Sequence, residues 1–325
     1  MMIGATSLAL RLISSDFAAL PYKLSKSYIL VGRKYPVSKA LPHGLSEKIE
    51  EYDKLIAEPK ANENAVQAFL ESNTVFMPTP DILNHRLHMN SVIAKFPVGE
   101  RSTDYAYLTK SSVEWRLVLV ELEDSSKKIF KDSSKNNAFT AEFSDAIAQI
   151  DVWRDFVGEH LDLVREKLHP LLVPLQMARN KISVRYLLVI GRSAEFEHDE
   201  ARRLRLANYG AERDLRIITY DTIRREVLAG YAEPKAVLRA NSRGYLLQSA
   251  EAMPSSMFAY IAPSNLKLST QAEKALRENQ YDIDAWKQNK MLTFNEKWTF
   301  DSQPDLYEQM HPSVKAMMAR QKGRK

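Results

Sequence analysis

Cysteine is missing altogether from the 325 residues of this chain. Disulfides, thiolate-held zinc and cysteine nucleophiles are therefore excluded. Glycine is scarce, at 10 residues, and no Gly-rich run of the kind that wraps a nucleotide phosphate is present. The 7 histidines lie without the short spacings of metal ligands. No stretch approaches the roughly 20 consecutive apolar residues of a membrane-spanning helix, so no membrane contact is expected. Met1 to Leu20 is fairly apolar, but it lacks a basic start and is interrupted by Arg11 and Asp16, unlike a secretory signal. The expected location is the cytoplasm.

What is present is an ordinary globular composition, 45% hydrophobic and 27% charged, with a formal net charge of +5. That balance favours a polyanionic partner only mildly. Three regions are expected. Residues 1–58 read as an α+β region, with a strand over Ser27 to Gly32 and an amphipathic helix over Leu45 to Ile56. Residues 59–232 form the central unit, and residues 233–325 a mainly helical region ending in the basic tail Gln321 to Lys325.

In the central unit a helix is expected over Glu63 to Ser72, with Ala65, Phe69 and Leu70 inward, and strands over Met89 to Phe96, from Asp104, and from Trp115. Lys110 to Ser112 makes the turn between the last two, and Asp124 to Asn137, rich in Ser, Lys, Asp and Asn, is a loop. Thr140 fits the N-cap of a helix over Ala141 to Glu159, whose Phe143, Ala146, Ile147, Ile150 and Val157 follow helical spacing. The apolar run Tyr186 to Ile190 predicts a doubly buried strand. A helix over Glu200 to Asn208 and a strand over Leu215 to Tyr220 follow. Beyond Tyr231, helices are expected over Thr270 to Asn279 and Pro312 to Arg320.

The stretch Asp104 to Trp153 carries the chemistry. An acid opens one apolar strand, and Glu121 and Glu123 close the next. With a side-chain period of two, those glutamates share a face, and a hairpin brings Asp104 beside Glu121. Converging carboxylates suit a hard divalent cation, because Mg2+ prefers oxygen ligands. Each residue also has a plainer explanation: an acid at a strand end is usually a solvated terminus, and lysines in a polar loop usually face water.

Asp104, the run Val120 to Asp124, the helix segment Ala146 to Trp153, and the runs Leu187 to Arg192 and Ile217 to Asp221 together resemble the PD-(D/E)xK nuclease superfamily, and within it the Shedu anti-phage defence nucleases. The resemblance covers roughly residues 60 to 230. It implies an α/β fold with a PD-(D/E)xK nuclease-like core (helix, three strands, helix, strand) plus N-terminal and C-terminal additions. Two positions depart from the pattern: Thr103 stands where a proline is common, and Glu123 where the superfamily carries a lysine.

The resemblance implies a Mg2+-dependent (alternatively Mn2+-dependent) DNA endonuclease in antiviral defence, acting on DNA as a homo-oligomer, a dimer or a tetramer. Asp104 and Glu121 are the expected metal ligands. Glu123 completes the shell or orients the attacking water, and Glu63 on the first helix is a further acid facing the metal. Lys127 or Lys128 supplies the positive charge that Glu123 cannot. Gln149, one turn before Trp153, faces the acids, and Arg202, Arg203 and Arg205 are candidates for gripping DNA phosphates. The competing expectation, supported by the missing lysine, is a DNA-binding or sensor protein that keeps the fold without catalysis.

Overall fold

In the computed structural model the described residues are 44–289, apart from 59–62, 85–86, 133–136, 174, 231, 242–243, 251–260 and 280. The expected strand at Ser27 to Gly32, the helix at Pro312 to Arg320 and the basic tail lie outside them. Two helices come first, α1 (Leu45–Ala57) and α2 (Glu63–Ser72). Strand β1 (Leu87–Ala94), a small hairpin of β2 (Pro97–Val98) and β3 (Arg101–Ser102), and the strands β4 (Tyr105–Lys110) and β5 (Glu114–Leu122) follow. Then come α3 (Ala141–Glu159), α4 (Leu161–Leu168), β6 (Lys181–Val189), α5 (Glu200–Ala211), β7 (Leu215–Ile218) and α6 (Tyr220–Leu228). The described part closes with β8 (Ala236–Asn241), β9 (Gly244–Ser249), β10 (Leu266–Leu268), α7 (Thr270–Glu278) and α8 (Ile283–Lys287).

Local chemistry explains where the long helices begin. The Thr140 side chain accepts a hydrogen bond from the Phe143 amide at 3.1 Å, and Asp199 accepts from the Arg202 amide at 2.9 Å. Each satisfies an amide that the first helical turn leaves without a partner. In α1, Ile49, Tyr52 and Ile56 recur at helical spacing and are buried, which turns one stripe of an otherwise charged helix toward the sheet.

Among the described residues, eight strands form one mixed sheet in the order β10-β9-β8-β1-β4-β5-β6-β7. β5 lies inside it, antiparallel to β4 and parallel to β6. Its side chains alternate between two apolar cores. Trp115, Leu117 and Leu119 pack with Phe143, Ile147, Ile150 and Trp153 of α3. Val118, Val120 and Leu122 pack with Tyr52 of α1, Val66 and Phe69 of α2 and Tyr220 of α6. Helices therefore cover both faces, and the period-two alternation of β5 holds its register, since a one-residue slip would exchange the cores.

The structure corrects several expectations. The segment after residue 232 is not mainly helical among the described residues: β8, β9 and β10 extend the same sheet, and β8 pairs in parallel with β1, Ser91 with Ala236 through Ala94 with Arg239. These strands are short and their partner is remote in sequence, so no local pattern marks them. Ala65 is exposed, whereas Val66 and Gln67 turn inward. The expected strand to Tyr220 ends at Ile218, and Tyr220 begins α6.

A chain ending at Ala232 should not keep a stable central unit. It would leave β1 as an open edge and remove Ala236 and Leu238 from one core and Val237 from the other. At about 1.5–3 kcal/mol for each large aliphatic side chain buried, the loss, with β9 removed as well, is comparable with total domain stability. Thermal melting followed by circular dichroism should show no cooperative transition; an unchanged midpoint would contradict the shared sheet.

Candidate active site

The register of β4 and β5 pairs Tyr105 with Val120, so Asp104 and Glu121 flank the same hairpin end. Asp104 Oδ2 accepts a hydrogen bond from the Leu122 amide at 2.8 Å, and Oδ1 meets Lys95 Nζ at 2.9 Å. Lys95 follows β1 at φ 52°, a left-handed conformation unusual for lysine, and its own amide donates to the Asp104 carbonyl at 2.9 Å. Gln149, from the middle of α3, donates through Nε2 to Glu121 Oε1. Two residues on, Glu123 pairs with Lys127, and its carbonyl accepts from the Tyr220 hydroxyl at 2.7 Å.

Solvated strand ends do not look like this. Asp104, Glu121 and Glu123 are 5%, 6% and 8% exposed, and a buried carboxylate is costly unless it is paired or protonated. Of the two loop lysines, only Lys127 reaches the acids; Lys128 Nζ turns away to Asp132 at 2.5 Å on the surface. Arg202 is folded back, donating to Asn137 Oδ1 at 3.3 Å, to the Glu195 carbonyl at 3.0 Å and to the Lys131 carbonyl at 3.2 Å, so its guanidinium is engaged by the protein itself. Arg203 also bonds a backbone carbonyl, that of Glu197 at 2.7 Å, and Arg205 stacks over Phe139 at 4.8 Å, both on the exposed side of α5. Trp153, one helical turn after Gln149, is buried, and its Nε1 has no hydrogen-bond partner.

The model of the Shedu protein SduA C-terminal family matches residues 60–223, which is half of the 325-residue chain. The chain belongs to this Shedu family. No curated protein matches it. The Shedu segment begins just before α2 and ends within α6, so it contains every candidate residue from Glu63 to Arg205, while α1 and β8 to β10 lie outside it.

Electrostatics within the Shedu segment tie the acids together. Burial, reinforced by the charges of Asp104, Glu123 and Glu63, pushes the Glu121 carboxyl up to about 9. Glu63, at the first turn of α2, is raised by partial burial and then by Asp104 and Glu123. Burial alone would lower the Lys127 ammonium, but its hydrogen bond to Glu123 and that group's charge outweigh this and hold it above the usual lysine value. Sequence reasoning missed Lys95 and Tyr220. Lys95 lies nine positions before Asp104 and reaches it only because the turn after β1 folds back; a lysine closing an apolar strand was its one faint signal.

Among the described residues no three His, Asp or Glu side chains form a ready-made metal cage, so the expected sharing of one cation by Asp104, Glu121 and Glu123 is not closed as folded. The donor chemistry nevertheless fits a hard cation: the donors are carboxylate oxygens whose mutual repulsion is left for protons and lysines to relieve. Mg2+ commonly takes only one or two carboxylates and keeps several waters. Asp104 and Glu121 would supply two such carboxylates, with Glu123 and Glu63 electrostatically linked to them.

The raised Glu121 carboxyl has a consequence for metal-free stability. Above the ordinary value of 4.5 the unfolded chain has released this proton, while the folded chain keeps it until about 9. The folded state binds more protons across that window, so stability falls as pH rises. The slope is at most about 1.4 kcal/mol per pH unit for one proton. Melting in chelator from about pH 5 to about pH 8 should show this decline, and Glu121→Gln should flatten it. Identical slopes in wild type and variant would show that Glu121 is not held protonated.

Proposed function

We propose that this Shedu-family chain is a divalent-metal-dependent DNA endonuclease of anti-phage defence, built on a PD-(D/E)xK nuclease-like core. One observation carries the proposal: a hairpin end inside the family segment where the buried carboxyls of Asp104 and Glu121 are electrically coupled and Gln149 of α3 donates to Glu121. The order α2, β1, β4, β5, α3, β6 supports the nuclease-like core, allowing for the small β2–β3 hairpin and for α4.

Mg2+ or Mn2+, when bound, would lower the pKa of a water and neutralise charge on the scissile phosphate. Asp104 and Glu121 would hold it, and Glu121 must give up its proton to do so. Gln149 orients Glu121 by its amide hydrogen bond, as outer partners of metal-binding carboxylates do. Lys95 and Lys127, ion-paired to Asp104 and Glu123, become ammonium groups for the phosphate once those acids are engaged. Glu123, which anchors Lys127 in the folded protein, then serves as an acceptor for the attacking water. DNA as the partner is supported by the net charge of +5 and by Arg203 and Arg205 on α5. Assembly as a dimer or tetramer belongs to the same proposal.

Purified protein should nick or cut plasmid DNA only with Mg2+ or Mn2+. Asp104→Ala should fall to background, and Gln149→Ala should lose about 10- to 100-fold. A second function, DNA binding without catalysis, is favoured by the lysines that already neutralise Asp104 and Glu123. Metal-independent DNA binding by wild type, with no nicking and no difference from Asp104→Ala, would make that the better account.

A further inference from the structure

Lys127 and Lys128 are adjacent, chemically identical and in the same polar loop, yet one ammonium lies on a buried site glutamate and the other at the surface. Each has an acid four positions away, Glu123 for Lys127 and Asp132 for Lys128, so spacing alone does not say which lysine enters the site. We propose that the turn Gly191 to Glu195, after β6, is a clamp that makes this choice: it holds the loop leaving β5 so that Lys127 enters the candidate site, with Glu195 as the positioning residue. The proposal rests on the nuclease function only for the consequence of losing the clamp.

The loop is held at successive points. Gly191 donates to the Asp124 carbonyl at 3.4 Å. It sits at φ +62°, and a Cβ there would lie 2.5 Å from the Lys127 carbonyl oxygen, so only glycine permits so close an approach. Further on, the Glu195 carboxylate accepts the Ile129 amide at 3.0 Å and the Phe130 amide at 2.9 Å. With the backbone pinned on both sides of Lys127 and Lys128, the direction of each side chain is set. Within the loop, Lys127 donates its amide to the Asp124 carbonyl at 3.1 Å, which closes a turn beneath Glu123.

The clamp itself is anchored. Arg192 bonds Asp221 at the start of α6 through Nε at 3.1 Å and Nη2 at 2.8 Å, and through Nη1 the Ile56 carbonyl near the end of α1 at 3.1 Å. Ser193 donates its amide to Asp221 at 2.7 Å, and Ser125 in the loop donates to the same Ile56 carbonyl at 3.0 Å. The turn is therefore braced against two helices on the opposite face of the sheet from α3. Rigid outer contacts of this kind hold a functional group within the small tolerance that chemistry requires.

The test uses the full chain and four variants: Glu195→Ala, Glu195→Gln, Lys127→Ala and the double variant Glu195→Ala with Lys127→Ala. Without metal or DNA, amine-reactive labelling read by mass spectrometry should find Lys127 protected relative to Lys128. Glu195→Ala should raise Lys127 labelling several-fold toward that of Lys128. Glu195→Gln should restore protection, since one amide oxygen can accept both loop amides. In Mg2+-dependent plasmid nicking, Glu195→Ala and Lys127→Ala should each lose about 10-fold or more, and the double variant no more than the worse single one. Unchanged Lys127 labelling in Glu195→Ala, or losses that multiply in the double variant, would overturn the clamp. Should Glu195→Ala not fold, Glu195→Asp withdraws the carboxylate by one methylene and carries the same expectation. A wild type that never nicks DNA would defeat the nuclease proposal alone, and the labelling would still decide the clamp.

Discussion

Asp104 is where three strands are tied into one site. Its carboxylate takes the Leu122 amide at the end of β5 with one oxygen and Lys95, just past β1, with the other. Its backbone closes the same corner, giving its amide to the Val120 carbonyl and its carbonyl to the Lys95 amide. A neutral side chain could cap the amide but would leave the Lys95 ammonium without its counter-charge. A charge buried this way must be answered locally, and the answer draws β1, β4 and β5 to a common edge. The remaining acids join that edge because β5 delivers Glu121 and Glu123 to the same side, facing α3.

The sheet that supports this edge is larger than the family segment. Strands β8 to β10 extend it beyond β1, and α1 adds Ile49, Tyr52 and Ile56 to the core behind the site. Tyr52 donates to the Tyr220 carbonyl and Tyr220 to the Glu123 carbonyl, at 3.0 and 2.7 Å. A hydrogen-bonded relay thus runs from α1, through α6, to the strand end that carries the acids. Among the described residues, elements outside the matched segment thus brace the strand end that carries the acids.

Two opposing demands meet at the acids. Folding favours neutralising them, by the proton on Glu121 and by Lys95 and Lys127; cation binding favours leaving them charged. A site built this way is most stable without metal at acidic pH and loses stability steadily as pH rises through neutrality toward about 9. The same pairs place two ammonium groups beside the acids, where under the proposed function they would meet a phosphate.

Much of this was legible in the chain itself. The helix Ala141 to Glu159 and its Thr140 cap, the helix beginning at Glu63, the turn expected over Lys110 to Ser112 (of which Lys110 closes β4) and the pairing of Asp104 with the Glu121 strand follow from 3.6- and 2-residue periodicities and from local capping, which are properties of neighbouring residues. That Gln149 faces the acids was what the family resemblance implied, and its bond to Glu121 itself came only from the packing of α3. What local pattern could not decide depended on contacts between remote residues: β8 beside β1, Lys95 returning to Asp104, Arg202 of α5 folded onto Asn137 and Lys131 of the loop after β5, and the different fates of Lys127 and Lys128. Short strands and turns carry too few side chains to signal a distant partner. Their placement is set by which backbone groups and charges remain to be satisfied after the sheet has formed, and only the tertiary structure holds that information.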